Sequence, residues 1–331
     1  MLLLCAVAGL MACQQVGTES LSPEMKSTGN LTVCVTRGCD MTKSSAGYTE
    51  VLDVEKVEKK VTVLVFDKNT GMLNAMKVIG KTTDECKFSI PVGEKVIWAV
   101  VNGPTTLNAM TMSQLGGVED NLNTNTLKDF GLTMSGSVEC TVESGATASP
   151  TVEVSRMVSR VVLRNVTCKI PEQYGKITID DVFLGDAFTR QSFAGVVTGK
   201  VNPAGYLDQQ KTQPIGKNSV TATCGEFMHR RPAKEVRVNG TVVLNECLYC
   251  QPNPTDEYTG LYILTTIAGN KYYYKIPLDQ GLESNTTYTV DVVITNLGEA
   301  DPPAQANEKG GINAVVTLAE WLPGNVYSAE I

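Results

Sequence analysis

Ten cysteines and a single histidine are the residues of this 331-residue chain best suited to chemistry. Cys247-Leu248-Tyr249-Cys250 has the spacing of a metal-binding or redox pair, and Cys224 and His229 would be its further ligands. A structural zinc site wants four ligands at recognisable spacings, and here a second close pair is missing. No metal site and no cofactor is therefore expected. The cysteines are read as core residues or disulfide partners on strands, with a pairing that spacing leaves open. Two adjacent carboxylate pairs, Asp84-Glu85 and Asp180-Asp181, project to opposite faces of a strand and so are poorly placed for acid/base cooperation. They read as solvated surface. His229 lies in the basic stretch Met228-His229-Arg230-Arg231 with no nucleophile motif beside it, and no glycine-rich phosphate loop occurs. No catalytic residue is nominated, and the chain is not read as an enzyme.

Cys13 carries a sharper signal. Met1 to Ala12 is a run of small and aliphatic residues ending in Leu10-Met11-Ala12-Cys13. That is the pattern of a bacterial lipobox, in which small side chains flank the scissile bond and the exposed thiol of Cys13 accepts the lipid. No Lys or Arg precedes the run, which is expected of a truncated or misplaced start. With Cys5 in the signal and Cys13 lipidated, the remaining cysteines of the ten are Cys34, Cys39, Cys86, Cys140, Cys168, Cys224, Cys247 and Cys250. Export to an oxidising compartment would permit disulfides among them.

The elements that must position these residues read as strands. After a polar tether over 14–30, Leu31-Thr32-Val33-Cys34-Val35-Thr36 alternates with period two and runs into Arg37-Gly38-Cys39. Strand patterns recur at Val57–Phe66, Lys87–Pro91, Lys95–Asn102, Ser137–Val142, Val158–Val166, Lys176–Leu184, Val236–Leu244, Tyr258–Ile267, Asn270–Ile276 and Thr287–Thr295. Met110–Gly131 has spaced leucines that fit short helical turns, and Glu143–Pro150 has the small residues of a domain linker. Many short strands between turn clusters indicate all-β sandwiches, and 331 residues suffice for two cores. The net charge of −7 argues against a nucleic-acid partner, and no apolar run reaches the roughly 20 residues of a membrane-spanning helix. Near the end, a Pro-interrupted linker over 298–311 precedes Ile312, Ala314, Val316 and Leu318 on one face of a strand. That strand has no obvious neighbour in its own domain. It either folds back as an ordinary last strand or completes another molecule's sheet.

Several segments together resemble the fimbrillin family, the type V pilins of Gram-negative gut and oral bacteria. They are Val61–Asp67 with its Gly turn, Gly93–Asn102, Ser155–Val161, Tyr272–Leu278 and Asn285–Val292, in that order and behind a lipobox. The resemblance implies two transthyretin-like β-sandwich domains with a C-terminal donor-strand extension. It also implies an outer-membrane lipoprotein precursor from which an arginine-specific protease removes the first strand. The emptied groove then takes a strand from a neighbouring copy or related fimbrial subunit. Carried onto this sequence, the cut falls between Arg37 and Gly38, and the donor is Ile312 to Trp321. The expected organisation is a lipoprotein signal over 1–13 and a propeptide with the first strand over 14–37. An N-terminal sandwich follows over 38–149, a C-terminal sandwich over 150–298, and a linker with donor strand over 299–331. A stalk subunit at the cell surface is the leading reading. An anchor or tip subunit of the same fimbria is an alternative. So is a surface glycan-binding lipoprotein using loops around Tyr249 or Tyr258, a reading by fold analogy alone.

Overall fold

A computed structural model describes residues 27–38, 50, 52–104, 107–122, 131–201, 225–253, 257–279, 281–300 and 312–320. Cys13, Cys39, Cys224 and Trp321 fall outside the described residues. The described chain is almost entirely β. Its first half contains β1 (Thr28–Arg37), β2 (Val61–Asp67), β3 (Leu73–Ile79), β4 (Cys86–Pro91), β5 (Gly93–Val101), β6 (Glu119–Asn121), β7 (Met134–Val142), β8 (Thr147–Ala148) and β9 (Thr151–Arg156). Its second half contains β10 (Ser159–Cys168), β11 (Lys176–Gly185), β12 (Phe188–Ser192), β13 (Val197–Lys200), β14 (His229–Arg230), β15 (Lys234–Arg237), β16 (Thr241–Cys250), β17 (Thr259–Ile267), β18 (Asn270–Leu278), β19 (Thr286–Ile294) and β20 (Ile312–Glu320). Among the described residues there are two short α-helices: α1 (Met112–Gly116), capped by the Thr111 side chain accepting from the Gln114 N–H, and a four-residue turn of helix, Gly225–Met228, that leads into β14.

The first half forms a sheet in the order β3-β2-β5-β7-β9-β1-β4. It folds over on itself where β7 passes β9. A Cβ on Gly136 would lie 1.9 Å from the Glu153 carbonyl oxygen, so only glycine allows the two backbones to approach there. Leu31, Val33 and Val35 of β1 then pack between Val61, Val63 and Val65 of β2, Ile97 and Ala99 of β5, and Val152 and Val154 of β9. β2 is apolar on both faces because its other face is buried too. Leu64 and Phe66 are covered by Leu107, Leu115, Met157 and Phe193.

The second half stacks β16-β10-β19-β20 against a sheet of β11, β17 and β18 edged by β14 and β15, around one large apolar core. Val236–Leu244, expected as one strand, is divided between the two sheets. Asn239 takes a positive φ of 60° before Gly240, and the chain turns there, β15 pairing β11 and β16 pairing β10. The segment expected as a linker, Glu143–Pro150, holds a turn and β8. The next strand, β9, stays with the first core. Core membership changes between Val154 and Val158. A small sheet of β13, β12 and β6 joins the halves, with Arg190 opposite Asn121.

Candidate assembly groove and processing site

β1 is an interior strand. On one edge it runs antiparallel to β4, from Thr28 opposite Pro91 to Val33 opposite Cys86. On the other edge it runs parallel to β8 and then to β9, from Cys34 opposite Thr151 to Arg37 opposite Val154. The alternation in its sequence is the cause of its placement. Leu31, Val33 and Val35 face the core, at 0%, 2% and 6% exposed, while Thr32, Cys34 and Thr36 face out. Burying three branched aliphatic side chains contributes about 5–9 kcal/mol at the usual value per residue. Withdrawing β1 would leave an apolar slot between β4 and β9 with unpaired backbone on both sides.

Arg37 closes the strand. Its Nε donates to Glu58 Oε1 at 2.7 Å and its Nη2 to the Lys56 carbonyl at 2.9 Å, leaving the side chain 30% exposed. The Gly38 N–H donates to the Val154 carbonyl at 2.9 Å, so the Arg37–Gly38 peptide is still held against β9. Glu58 in turn accepts from the Thr82 N–H at 3.0 Å. The guanidinium and the peptide bond that a protease would need are thus both occupied by the protein itself.

The tail strand has a partner within the chain. β20 lies antiparallel along β19, from Ile312 opposite Ile294 to Glu320 opposite Thr286, at the edge of its sheet. Ile312, Ala314 and Val316 pack on the second core, and Val315, half exposed, points away. Three of the four residues of the expected apolar face are therefore in use, and the fourth side chain, Leu318, falls outside what is described. Of the two readings of this strand, the ordinary last strand that folds back is the one seen, with β19 as its neighbour. β1 is paired on both edges, β20 on one.

A buried polar cluster links the halves. Glu55, in a 3-10 turn over Asp53–Lys56, is 1% exposed. Both of its carboxylate oxygens accept from Arg160 Nη1 at 3.0 Å, and Oε1 accepts from the Tyr249 hydroxyl at 2.7 Å. Arg160 also donates from Nε to Thr287 Oγ1 at 3.0 Å. Arg156 Nη2 donates to the Glu55 carbonyl at 3.3 Å; burial, offset in part by Glu55, brings its pKa down to about 10. Burial and the Glu55 carboxylate push the Tyr249 phenol well above its ordinary range. Tyr249 is fully buried, which removes it as a surface platform for a glycan. Sequence reading had no signal for this cluster, because its members lie up to 194 positions apart.

The other candidate residues sort as follows. Asp180 and Asp181 were expected on opposite faces, but the register of β11 shifts between Ile179 and Asp181. Ile179 and Val182 both face the core, so both carboxylates lie on the other side, and only one of them is solvated. Asp180 accepts from Thr266 and Lys271, whereas Asp181 is buried and pairs with His229 Nε2 at 2.8 Å and Arg231 Nε at 3.0 Å. Burial raises the Asp181 pKa, and the His229 hydrogen bond and the Arg231 charge outweigh it, leaving the carboxyl below its usual range. Cys34, Cys86, Cys140, Cys168, Cys247 and Cys250 are free thiols. Burial raises Cys247 to about 11 and Cys250 to about 12, which keeps them protonated. Among the described residues, no three His, Cys, Asp or Glu side chains converge on a possible metal position.

No protein-family model matches the chain, and no curated protein matches it either. Solved structures do. A Bacteroides eggerthii protein described as a "putative cell adhesion protein" superposes with a TM-score of 0.63 at 19% identity, over 89% of this chain and 96% of that one. A Parabacteroides distasonis protein of the same description gives 0.60 at 14% identity, over 91% and 99%. A fimbrilin from Porphyromonas gingivalis gives 0.57 at 14% identity, over 90% and 99%. The chain shares their fold along nearly its whole length.

Proposed function

We propose that this chain is a structural subunit of a cell-surface fimbria, supporting adhesion and polymerising by strand exchange after proteolysis. The fold shared with a fimbrilin and with the adhesion-described proteins supports the fimbrial part. One observation carries the exchange: an interior strand that ends at an arginine coexists with an edge strand of matching apolar alternation behind a long linker. On this reading the chain divides into two transthyretin-like sandwiches, with their boundary at 156–158, where core membership changes.

The proposed sequence of events begins with the precursor held to the outer membrane by lipid on Cys13. An arginine-specific protease hydrolyses the Arg37–Gly38 bond. One water is consumed, leaving a carboxylate on Arg37 and an ammonium group on Gly38. While the bond is intact, β1 is intramolecular and re-pairs at a high effective concentration; cutting removes that advantage. The Ile312–Glu320 strand of a neighbouring copy or related subunit then enters between β4 and β9. It leaves a one-edged position for a two-edged one, and each additional ladder hydrogen bond contributes about 0.5–1.5 kcal/mol, offset by ordering of the linker. An inserted interior strand can leave only by opening the sandwich, so the joint persists kinetically under shear.

The test is truncation before Ile312, followed by cleavage and electron microscopy. Loss of polymers is expected; normal polymers from the truncated chain would remove the mechanism. N-terminal sequencing of native fibres separates the roles. Many copies starting at Gly38 mark a stalk subunit, and a single copy that retains 14–37 marks an anchor.

A further inference from the structure

We propose that the Arg37 side chain also acts as a latch that keeps β20 parked on β19, so that loss of β1 frees the donor as it opens the acceptor. This rests on the strand-exchange reading and adds its regulation.

A continuous set of contacts joins the two strands. Arg37 donates to the Lys56 carbonyl and to Glu58, which bracket the end of the 3-10 turn carrying Glu55. Glu55 is clamped on its other side by Arg160 of β10 and Tyr249 of β16. Arg160 reaches on to Thr287 of β19. Thr287 stands opposite Ala319 of β20. Glu58 and Lys56 belong to the first half, and every group beyond Glu55 belongs to the second. The Arg37 charge is also felt at Arg156, which donates to the same turn.

The cluster is prone to switch because its parts are buried. With β1 gone, Glu58 and the Lys56 carbonyl lose their shared donor, and the 52–58 segment is no longer pinned from the side of the groove. A carboxylate and a guanidinium buried together are stable only while paired. If Glu55 shifts, Arg160 Nη1 keeps its bond to the Glu50 carbonyl at 3.0 Å, and the guanidinium, 2% exposed, re-aims and loosens its hold on the Thr287 hydroxyl. Fraying then starts at the Thr286–Thr287 end of β19, opposite Ala319 and Glu320, where the parked strand ends. In the uncut chain both halves of the joint are masked within one molecule, which would keep precursors monomeric during export.

The experiment is hydrogen–deuterium exchange on the full-length uncut chain. The readout is the peptide spanning 312–320, with the β17 peptide over 259–267 as an internal reference. Arg37→Ala is expected to speed exchange about tenfold in 52–58 and in 312–320 while the reference stays constant. Thr287→Val should speed 312–320 alone. Val33→Ala, which loosens β1 but leaves the Arg37 contacts in place, should speed 28–38 and affect 312–320 far less than Arg37→Ala does. The latch is overturned if Arg37→Ala leaves 312–320 unchanged, if it speeds the reference peptide equally, or if Val33→Ala matches its effect on the tail. Any of these outcomes leaves the strand-exchange reading standing, since that is decided separately by truncation before Ile312.

Discussion

Arg37 Nε and Glu58 Oε1 lie 2.7 Å apart, so the guanidinium that the proposed arginine-specific protease would have to capture is already in the grip of a carboxylate. The Gly38 N–H is tied to Val154 in the same region. On the proposed reading, cleavage requires the end of β1 to open first, and the population of that open form sets the rate when reclosing is fast.

Glu58→Ala removes one charge-assisted hydrogen bond from the closed form. Cutting after Arg37 is expected to speed up about tenfold, followed by gel time course and N-terminal sequencing. An unchanged rate would mean that fraying at Arg37 does not limit processing.

The acceptor groove is apolar at the positions of Leu31, Val33 and Val35. A chain truncated before Ile312 and cut after Arg37 should therefore be less stable than its uncut parent, and a synthetic 312–320 peptide should raise its Tm. The Val316→Asp peptide should not, since a carboxylate in that slot has no partner. In the uncut chain, Leu31→Ala should cost about 2–5 kcal/mol in a denaturant titration, as expected for a fully buried leucine.

Thiol reactivity reports the state of the groove. Cys34 is exposed and should react with maleimide in the uncut chain, while Cys86, Cys168, Cys247 and Cys250 are buried and should not. Cys86 stands opposite Val33 across the β1–β4 ladder. It should become reactive when residues 1–37 are removed and be protected again when the peptide 312–320 is added, as read by mass spectrometry. Labelling of Cys86 that ignores the removal of β1 would contradict an open slot.

Acid sensitivity has a defined sign. Asp67 has its pKa lowered to about 2 by the Thr70 backbone N–H and by the buried Lys95 ammonium, 3.1 Å from its carboxylate. A carboxyl whose folded pKa lies below its unfolded value of 3.8 adds stability above that value, and this is lost as pH falls through the folded pKa. Asp67→Asn should therefore lower Tm at pH 7, and the gap to the parent should close between about pH 4 and pH 2. A gap that stays constant over this range would rule the ion pair out as its source.

β1, β4, β5, β7, β10, β11, β17, β18, β19 and β20 were legible in the sequence as short apolar runs between turn residues, most clearly where one face is exposed and the alternation records which face is buried, as in β1. So was the apolar face of the tail: Ile312, Ala314 and Val316 turn inward against the second core. β3 and β9 were not legible. β3 lacks clean alternation. β9 follows small, turn-like residues, and it becomes a strand by pairing with β7 and with β1, the latter more than a hundred positions earlier. The partner of β20 was hidden for the same reason, since pairing is a relation between distant edges rather than a property of either strand. The Glu55–Arg160–Tyr249 cluster and the Asp181–His229 pair depend on burial, which a run of polar letters does not reveal. Local alternation decided which segments are strands and which faces they bury. Tertiary packing alone decided which strand is interior, which lies at an edge, and which charges are sealed between them.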